Sequence, residues 1–283
     1  MSVAGGLERA LFRGRDAGCD IIQIFTAGSR QWKPRELTGG EVDAFHRARE
    51  QTIVQPVAAH TNYLINLASP RPEVAERSVR SLEQEMVRAS LLGIPYVVLH
   101  PGSHLGSGES RGLLRISEGL NRVLKAVGDR GVVLLLETTA GQGTSLGCRL
   151  EHLAEIREGV EQSHLMGVCL DTCHVFAAGY DFCTDSAYRR FIESFARTVG
   201  LDRLKLFHIN DSKTPMGSRV DRHEHIGEGR IGGEALGRFL RDPRFSGHAF
   251  VLETPKGKDK KGRDSDMLNL GRLRRLSLTT GRA

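Results

Sequence analysis

“LMGVCLDTCHVF”, residues 165–176, begins as an uninterrupted apolar run and ends on Asp171, with His174 three positions further on. A run this apolar suits a strand covered on both faces, as in a parallel sheet with helices packed against it. A carboxylate at the end of such a strand is costly unless something compensates its charge. The same construction recurs along the chain. Strands are expected at “IIQIF” (21–25), “TIVQPVAAH” (52–60), “PYVVLH” (95–100), “VVLLLE” (132–137), “LMGVCLD” (165–171), “LKLFHIN” (204–210) and “HAFVLE” (248–253). Amphipathic helical patterns lie between them, for instance over 72–93 and 117–131. Seven βα repeats with no Pro- or Ser-rich linker predict one domain over 1–283, a TIM (β/α)8-type barrel one strand short of eight. A doubly wound open sheet is the alternative. No GxGxxG opens a helix, so dinucleotide binding has little support.

After the first strand, six strands in succession finish on His60, His100, Glu137, Asp171, His208 and Glu253. His, Asp, Glu and Cys together make up about one residue in six, so composition does not account for six consecutive hits. In a parallel barrel all these ends open onto one face, where active sites sit. Carboxylates packed there without a counter-charge repel one another. Divalent cations resolve that conflict, and a His/carboxylate set without thiolates suits zinc, manganese or iron. His174, together with Asp221 and His223 in “SRVDRHEHIGEG”, forms a further three-ligand set that leaves positions open for water or substrate. Nine ligands are too many for one ion. Two or three metals held close together is the chemistry of phosphate ester cleavage.

Bulk properties narrow the setting. The chain has 283 residues, a formal net charge of +6 and 26% charged residues, with pI near 9.2, a mild preference for acidic partners such as nucleic acid. No apolar run approaches the ~20 residues that span a bilayer. The charged N-terminus is not a secretory signal. Five cysteines without a CxxC pair fit reduced thiols in a cytoplasm.

Several long stretches resemble the endonuclease IV family of apurinic/apyrimidinic (AP) endonucleases: “FTAGSRQW” (25–32), “AHTNYLINLAS” (59–69), “LHPGSHLG” (99–106), “LETTAGQGTSLG” (136–147), “VCLDTCHVFAAGYD” (168–181), “HINDSKTPMGSRVDRHEHIGEGRIG” (208–232) and “VLETPKG” (251–257). The resemblance covers nearly the whole chain. It implies a TIM barrel with three zinc ions that cuts duplex DNA 5′ to an abasic site, leaving a 3′-hydroxyl and a 5′-deoxyribose phosphate. It also implies 3′-end cleaning, a monomer and a cytoplasmic location set by the DNA substrate. Manganese could replace zinc at some sites. On this pattern His60 and His100 hold one zinc, with Glu137 bridging to a second. Asp171, His208 and Glu253 complete the second, and His174, Asp221 and His223 hold the third. Glu137, Asp171 and Glu253 are thereby the carboxylates of the catalytic centre. Arg30 and the pair Tyr63 and Leu64 match the loops that enter the duplex and hold the abasic site extrahelical. A site without a base has little stacking to lose, and apolar wedges can fill the gap.

Taken singly, Tyr63 and Leu64 read as packing residues and Arg30 as a solvated charge; only the motif gives them a role. Cys173 beside His174 reads as a small buried residue rather than a thiolate ligand. His104 and His225 could each orient a ligand or be spectators, and “GQGTSLG” (141–147) reads as a metal-site loop that approaches DNA. The rival class is a metal-dependent sugar isomerase or epimerase on a xylose-isomerase-like barrel, which fold alone does not exclude. Such enzymes need only one or two metals and no wedge, so the trio His174, Asp221 and His223 separates the two readings. A non-catalytic DNA-binding protein would not need nine convergent ligands. Family members usually carry a strand before “AGGL”, where this chain has only “MSV”. The expectation is either a start further upstream or a barrel less stable than its relatives, because a missing strand exposes two edges. Residues 256–283 show no clear periodicity.

Overall fold

Strand follows helix along the chain with the alternation the apolar runs predict. The computed structural model describes residues 1–278, and within it the chain forms two compact units. One comprises Met1–Glu137 and Thr144–Val168, the other Thr138–Gly143 and the chain from Cys169 onward.

The first unit carries β1 (Ile21–Ile24), β2 (Gln55–His60), β3 (Tyr96–Leu99), β5 (Val133–Glu137) and the start of β7 (Met166–Asp171), with the two-residue strands β4 (Gly102–Ser103) and β6 (Ser145–Leu146) beyond β3 and β5. β1, β2, β3 and β5 pair in parallel in that order. The register sets Leu99 opposite Leu136, so the next residues, His100 and Glu137, end level with each other. Helices α1 (Glu8–Asp16), α2 (Gly39–Thr52), α3 (Pro72–Leu91), α4 (Glu109–Val127) and α5 (Leu150–Glu158) connect and cover these strands. The core is largely aliphatic, built from residues such as Leu82, Met86, Val97, Val98, Leu120, Val123, Leu134 and Leu135. Several element limits differ from the sequence expectation, two of them for a clear local reason. Thr52 and Ile53 end α2 rather than open β2, Ile53 capping the helix in the left-handed region at φ 64°. α4 starts eight residues earlier than its apolar periodicity suggests, at Glu109, because Gly108 opens it without any side-chain cap to mark the start. No strand precedes β1 among the described residues; the Met1 amino group instead donates to the main-chain carbonyl of Gln23 within β1.

The second unit begins with the end of β7 and continues through β8 (Leu204–His208), β9 (Asp211–Ser212), β10 (His223–Glu224) and β11 (Ala249–Val251), with helices α6 (Thr172–Ala178), α7 (Asp185–Thr198), α8 (Gly233–Arg241) and α9 (Ser265–Leu278). β8 and β11 are parallel, with His208 opposite Val251, whereas β9 and β10 form a short antiparallel pair. The core here is aromatic. Phe207 stacks on Phe250 at 4.8 Å between centroids and meets Phe245 and Phe239 edge-on at 4.9 and 5.8 Å. α9 accounts for half of the stretch from 256 to 283 whose conformation the sequence leaves open; residues 279–283 lie outside the described residues. Its anchor is polar rather than an apolar stripe. Asn269, fully buried, accepts from the Ile226 amide at 3.0 Å and donates to Thr254 Oγ1 at 3.0 Å.

Because Phe207 is fully enclosed by aromatic neighbours, Phe207→Ala should leave a cavity that little can refill. We expect a loss of about 3–5 kcal/mol in urea unfolding; a loss below about 1 kcal/mol would contradict this packing.

Candidate metal and nucleic-acid site

β2, β5, β7 and β8 end on the ligand-type residues themselves, His60, Glu137, Asp171 and His208. His100 and Glu253 follow the ends of β3 and β11 by one and two residues. In the first unit, His60 Nε2 and His100 Nε2 approach the same Glu137 oxygen, at 3.1 and 2.9 Å. Glu137 and His60 are buried, whereas the His100 side chain is 39% exposed and opens the cluster to solvent. Close packing around it leaves no room for a side chain at Gly147, whose φ is +94°; a Cβ there would lie 2.8 Å from Pro101 Cγ and 3.2 Å from the Glu137 carbonyl oxygen.

The other six residues come together in the second unit. Asp171, His174 and His223 form one group of facing ligand atoms. Asp221 joins His174 at 3.2 Å and His223 at 3.3 Å, each through Nε2. His208 faces Glu253 through Nδ1 at 3.2 Å, with Asp171 at 3.9 Å. The α6 N-terminus contributes too, since Asp171 caps it by accepting from the His174 amide at 2.9 Å.

Three of these histidines share one hydrogen-bond pattern. His60 Nδ1 lies 2.8 Å from the Thr61 carbonyl, His174 Nδ1 2.8 Å from the Thr138 carbonyl, and His223 Nδ1 3.1 Å from the Glu253 carbonyl. A main-chain carbonyl only accepts, so Nδ1 carries the proton in each ring. In a neutral imidazole Nε2 then presents a lone pair, and in all three it points at a carboxylate oxygen. Acceptor facing acceptor is repulsive unless a proton or a metal cation lies between them. His223 Nε2 is buried and makes no hydrogen bond. Nδ1–H bonded to a carbonyl with Nε2 directed into a carboxylate cluster is how proteins orient histidine for metal. The donor set of five imidazoles and four carboxylates therefore fits divalent transition metals.

Sequence reasoning missed the residues that orient these ligands. Asn210 donates through Nδ2 to Asp171 Oδ2 at 2.7 Å and accepts through Oδ1 from the Glu253 amide at 2.8 Å, fixing two ligands with one side chain. Thr138 Oγ1 accepts from the Asp171 amide at 2.9 Å. Asp211, fully buried, accepts from five backbone amides: Ser212 at 2.8 Å, Gly227 at 3.0 Å, Gly229 at 3.1 Å, Ile231 at 2.9 Å and Gly232 at 3.3 Å. That carboxylate folds the loop after β10 around itself and so helps to hold the Asp221–His223 segment. Any side chain at Gly229 would collide with it, because a Cβ would sit 2.5 Å from Asp211 Oδ1 and 2.4 Å from the Ser212 carbonyl oxygen. The signal for this cradle was the glycine-rich run “GEGRIGG” (227–233), whose amides can crowd one anion.

The two ambiguous histidines each bond to a helix or its start. His104 Nδ1 accepts from the Gly108 amide at 3.2 Å at the start of α4, and His225 Nδ1 accepts from Asn269 at 3.0 Å. Cys173 is buried with its thiol toward the Arg222 carbonyl at 3.6 Å, and burial pushes its pKa up to about 12, with the Asp171 carboxylate adding to the effect. Its sulfur nevertheless lies within reach of Asp221 and His223 as a third ligand-type atom. Arg30 is exposed, Tyr63 is 63% exposed and Leu64 is half-buried. The Tyr63 ring packs 5.4 Å from Phe25 and 6.1 Å from His60, so it stands beside the metal-type cluster with most of its surface open.

A family described as xylose isomerase-like TIM barrel matches residues 12–271, which gives the fold class as a TIM barrel. Within that class the chain belongs to the endonuclease IV family. It is 49% identical to the probable endonuclease 4 of Geobacter sulfurreducens, covering 98% of this chain and 92% of that one. The crystal structure of endonuclease IV from Thermus thermophilus is similar at a TM-score of 0.84 and 39% identity, covering 98% of this chain and 96% of the other. A D-tagatose 3-epimerase-like protein shares the fold alone, at a TM-score of 0.74 and 19% identity over 97% of this chain and 94% of that one. No described helix is long and apolar enough to cross a membrane.

Removing the Asp211 carboxylate would leave five amides without their acceptor, those of Ser212 and Ile231 in the interior, where each costs roughly 1–3 kcal/mol. Asp211→Ala should therefore lower stability by on the order of 3–5 kcal/mol and open the 221–232 loop to limited proteolysis, with Asp211→Asn between it and wild type. An Asp211→Ala protein with wild-type melting and no new cleavage would refute the cradle.

Proposed function

We propose that this endonuclease hydrolyses the phosphodiester 5′ to an abasic site in duplex DNA, leaving a 3′-hydroxyl and a 5′-deoxyribose phosphate, and that it also cleans blocked 3′ ends. The observation that carries the proposal is the repeated aim of imidazole Nε2 atoms at carboxylate oxygens, within each unit, together with an exposed tyrosine on a family-matched loop. His60, His100, Glu137, Asp171, His174, His208, Asp221, His223 and Glu253 would hold up to three zinc ions, with manganese able to replace some. Such ions, when bound, supply a nucleophile at neutral pH and neutralise charge developing on phosphate oxygens.

The chain's own residues set up that chemistry. The main-chain carbonyls of Thr61, Thr138 and Glu253 keep protons on the Nδ1 atoms and so turn the Nε2 lone pairs toward the ligand position. Asn210 holds the Asp171 carboxylate in one rotamer. Of the carboxylates assigned to the catalytic centre, Glu137 and Asp171 are shut away from water, whereas Glu253 is partly exposed and able to meet the substrate phosphate. Arg30 would contact the backbone of the opened duplex, with Tyr63 and Leu64 filling the space of the missing base pair. The protein would act as a monomer in the cytoplasm.

Three experiments test this reading. Purified protein should incise an abasic duplex oligonucleotide, lose that activity to a chelator and regain it with zinc. Glu137→Gln should lower incision by several orders of magnitude while leaving duplex binding largely intact; near wild-type incision would overturn the assignment. For recognition, Tyr63→Ala combined with Leu64→Ala should weaken binding to abasic duplex by at least about tenfold while sparing intact duplex, because wedges act only where the helix is opened whereas phosphate contacts act on any sequence. Equal losses on both duplexes would make these two residues structural.

A further inference from the structure

Helix α3 buries a row of polar residues on one face. Ser78, Ser81, Glu85 and Arg88 recur at spacings of three and four, and all four are buried. Polar groups on the covered face of a helix are expensive unless each is bonded. These bond to the two loops proposed to read the lesion.

The loop after β1, which carries Arg30, is gripped at both ends. Thr26 Oγ1 donates to Glu85 Oε2 at 2.6 Å and accepts from Arg88 Nε at 3.2 Å. One hydroxyl thus sits between an acid and a base with both of its roles fixed. Arg88 also donates to the Thr26 carbonyl and, at 2.8 Å, to the Arg35 carbonyl at the far end of the loop. The loop after β2, which carries Tyr63 and Leu64, is held by the next residues along the same face. Ser81 Oγ accepts from Asn62 Nδ2 at 2.9 Å, and Asn62 Oδ1 in turn accepts from the Leu64 amide at 3.0 Å. Ser78 Oγ accepts from the Asn66 amide at 2.9 Å. The loops are also joined directly. The Tyr63 amide donates to the Ser29 carbonyl at 2.9 Å, which makes the two loops one mechanical body.

We propose that the buried polar face of α3, centred on the Thr26–Glu85–Arg88 contact, is the positioning platform that fixes Arg30, Tyr63 and Leu64 relative to one another and so sets the discrimination between abasic and intact duplex. This rests on the functional reading above. Glu85 and Arg88 touch no substrate; they act through the loops. Burial pushes the Glu85 carboxyl above its ordinary range and the Arg88 guanidinium below its own, which matches two groups committed to internal bonds. A wedge residue works only if it enters the duplex at a set place, and small misplacements of a positioning group are costly.

The test uses the metal-loaded protein and a pair of duplex oligonucleotides, one carrying an abasic-site analogue and one intact. Thr26→Val keeps the side-chain shape but breaks both bonds of the hydroxyl, whereas Thr26→Ser keeps the hydroxyl. We expect Thr26→Val to lower the ratio of abasic to intact affinity by about tenfold and to raise KM for incision, with kcat within about twofold and metal content unchanged. Thr26→Ser should restore the ratio. Ser81→Ala, which frees Asn62 in the second loop, should lower the ratio in the same way and carries the test if Thr26→Val does not fold. An unchanged ratio in a folded variant, or equal weakening on both duplexes, overturns the platform alone. A wild-type protein that does not distinguish the duplexes overturns the functional reading as well.

Discussion

Lone pairs that face lone pairs set the terms for this protein. At the end of β2, in α6 and at the start of β10, imidazole Nε2 atoms point at carboxylate oxygens while their Nδ1 protons are committed to main-chain carbonyls. Buried carboxylates left in this state cost several kcal/mol each. A cation between the partners would relieve that cost, and the hydrogen bonds around the site keep the partners turned toward that position. Asn210 and Thr138 hold Asp171, and Asp211 holds the loop behind His223. Stability and ligand geometry are therefore the same problem here: the side chains proposed to bind a cation are those that would otherwise weaken the fold.

Recognition is arranged differently. The loops that bear Arg30 and Tyr63 are exposed, yet the residues just before and after the exposed ones are tied to a buried helix face. Tyr63 also packs against His60 and Phe25, so the residue proposed to enter DNA and a ligand of the metal-type cluster lean on each other. Exposed tips on a bonded base give a surface that meets a duplex with little to reorganise.

Much of this was legible in the sequence because the strands are short, apolar and punctuated by their ligands. Runs such as “VVLLLE” announce both the strand and the residue at its end. The limits were less legible where no side chain marks them, as at Gly108 before α4 and Ile53 after α2. α9 was hidden because it is anchored by one buried asparagine rather than by an apolar stripe. Asp211 and Glu85 were invisible for a related reason. Each is an ordinary carboxylate in sequence, and its role depends on amides and hydroxyls that chain folding brings to it from elsewhere. Tyr63, Leu64 and Arg30 carried meaning only through a family motif, since an exposed side chain that meets a partner leaves no trace in periodicity. The sugar-epimerase-like structure at 19% identity makes the same point from the other side: the barrel is shared, so function resides in the loops and in the ligands they add.

The most direct measurement is the metal content of protein purified without exposure to chelator and active as isolated. With nine ligand-type residues, three of them histidines whose Nε2 faces a carboxylate while Nδ1 is bonded to a carbonyl, close to three transition-metal ions per chain are expected. One ion or none in active protein would contradict a centre built on those contacts.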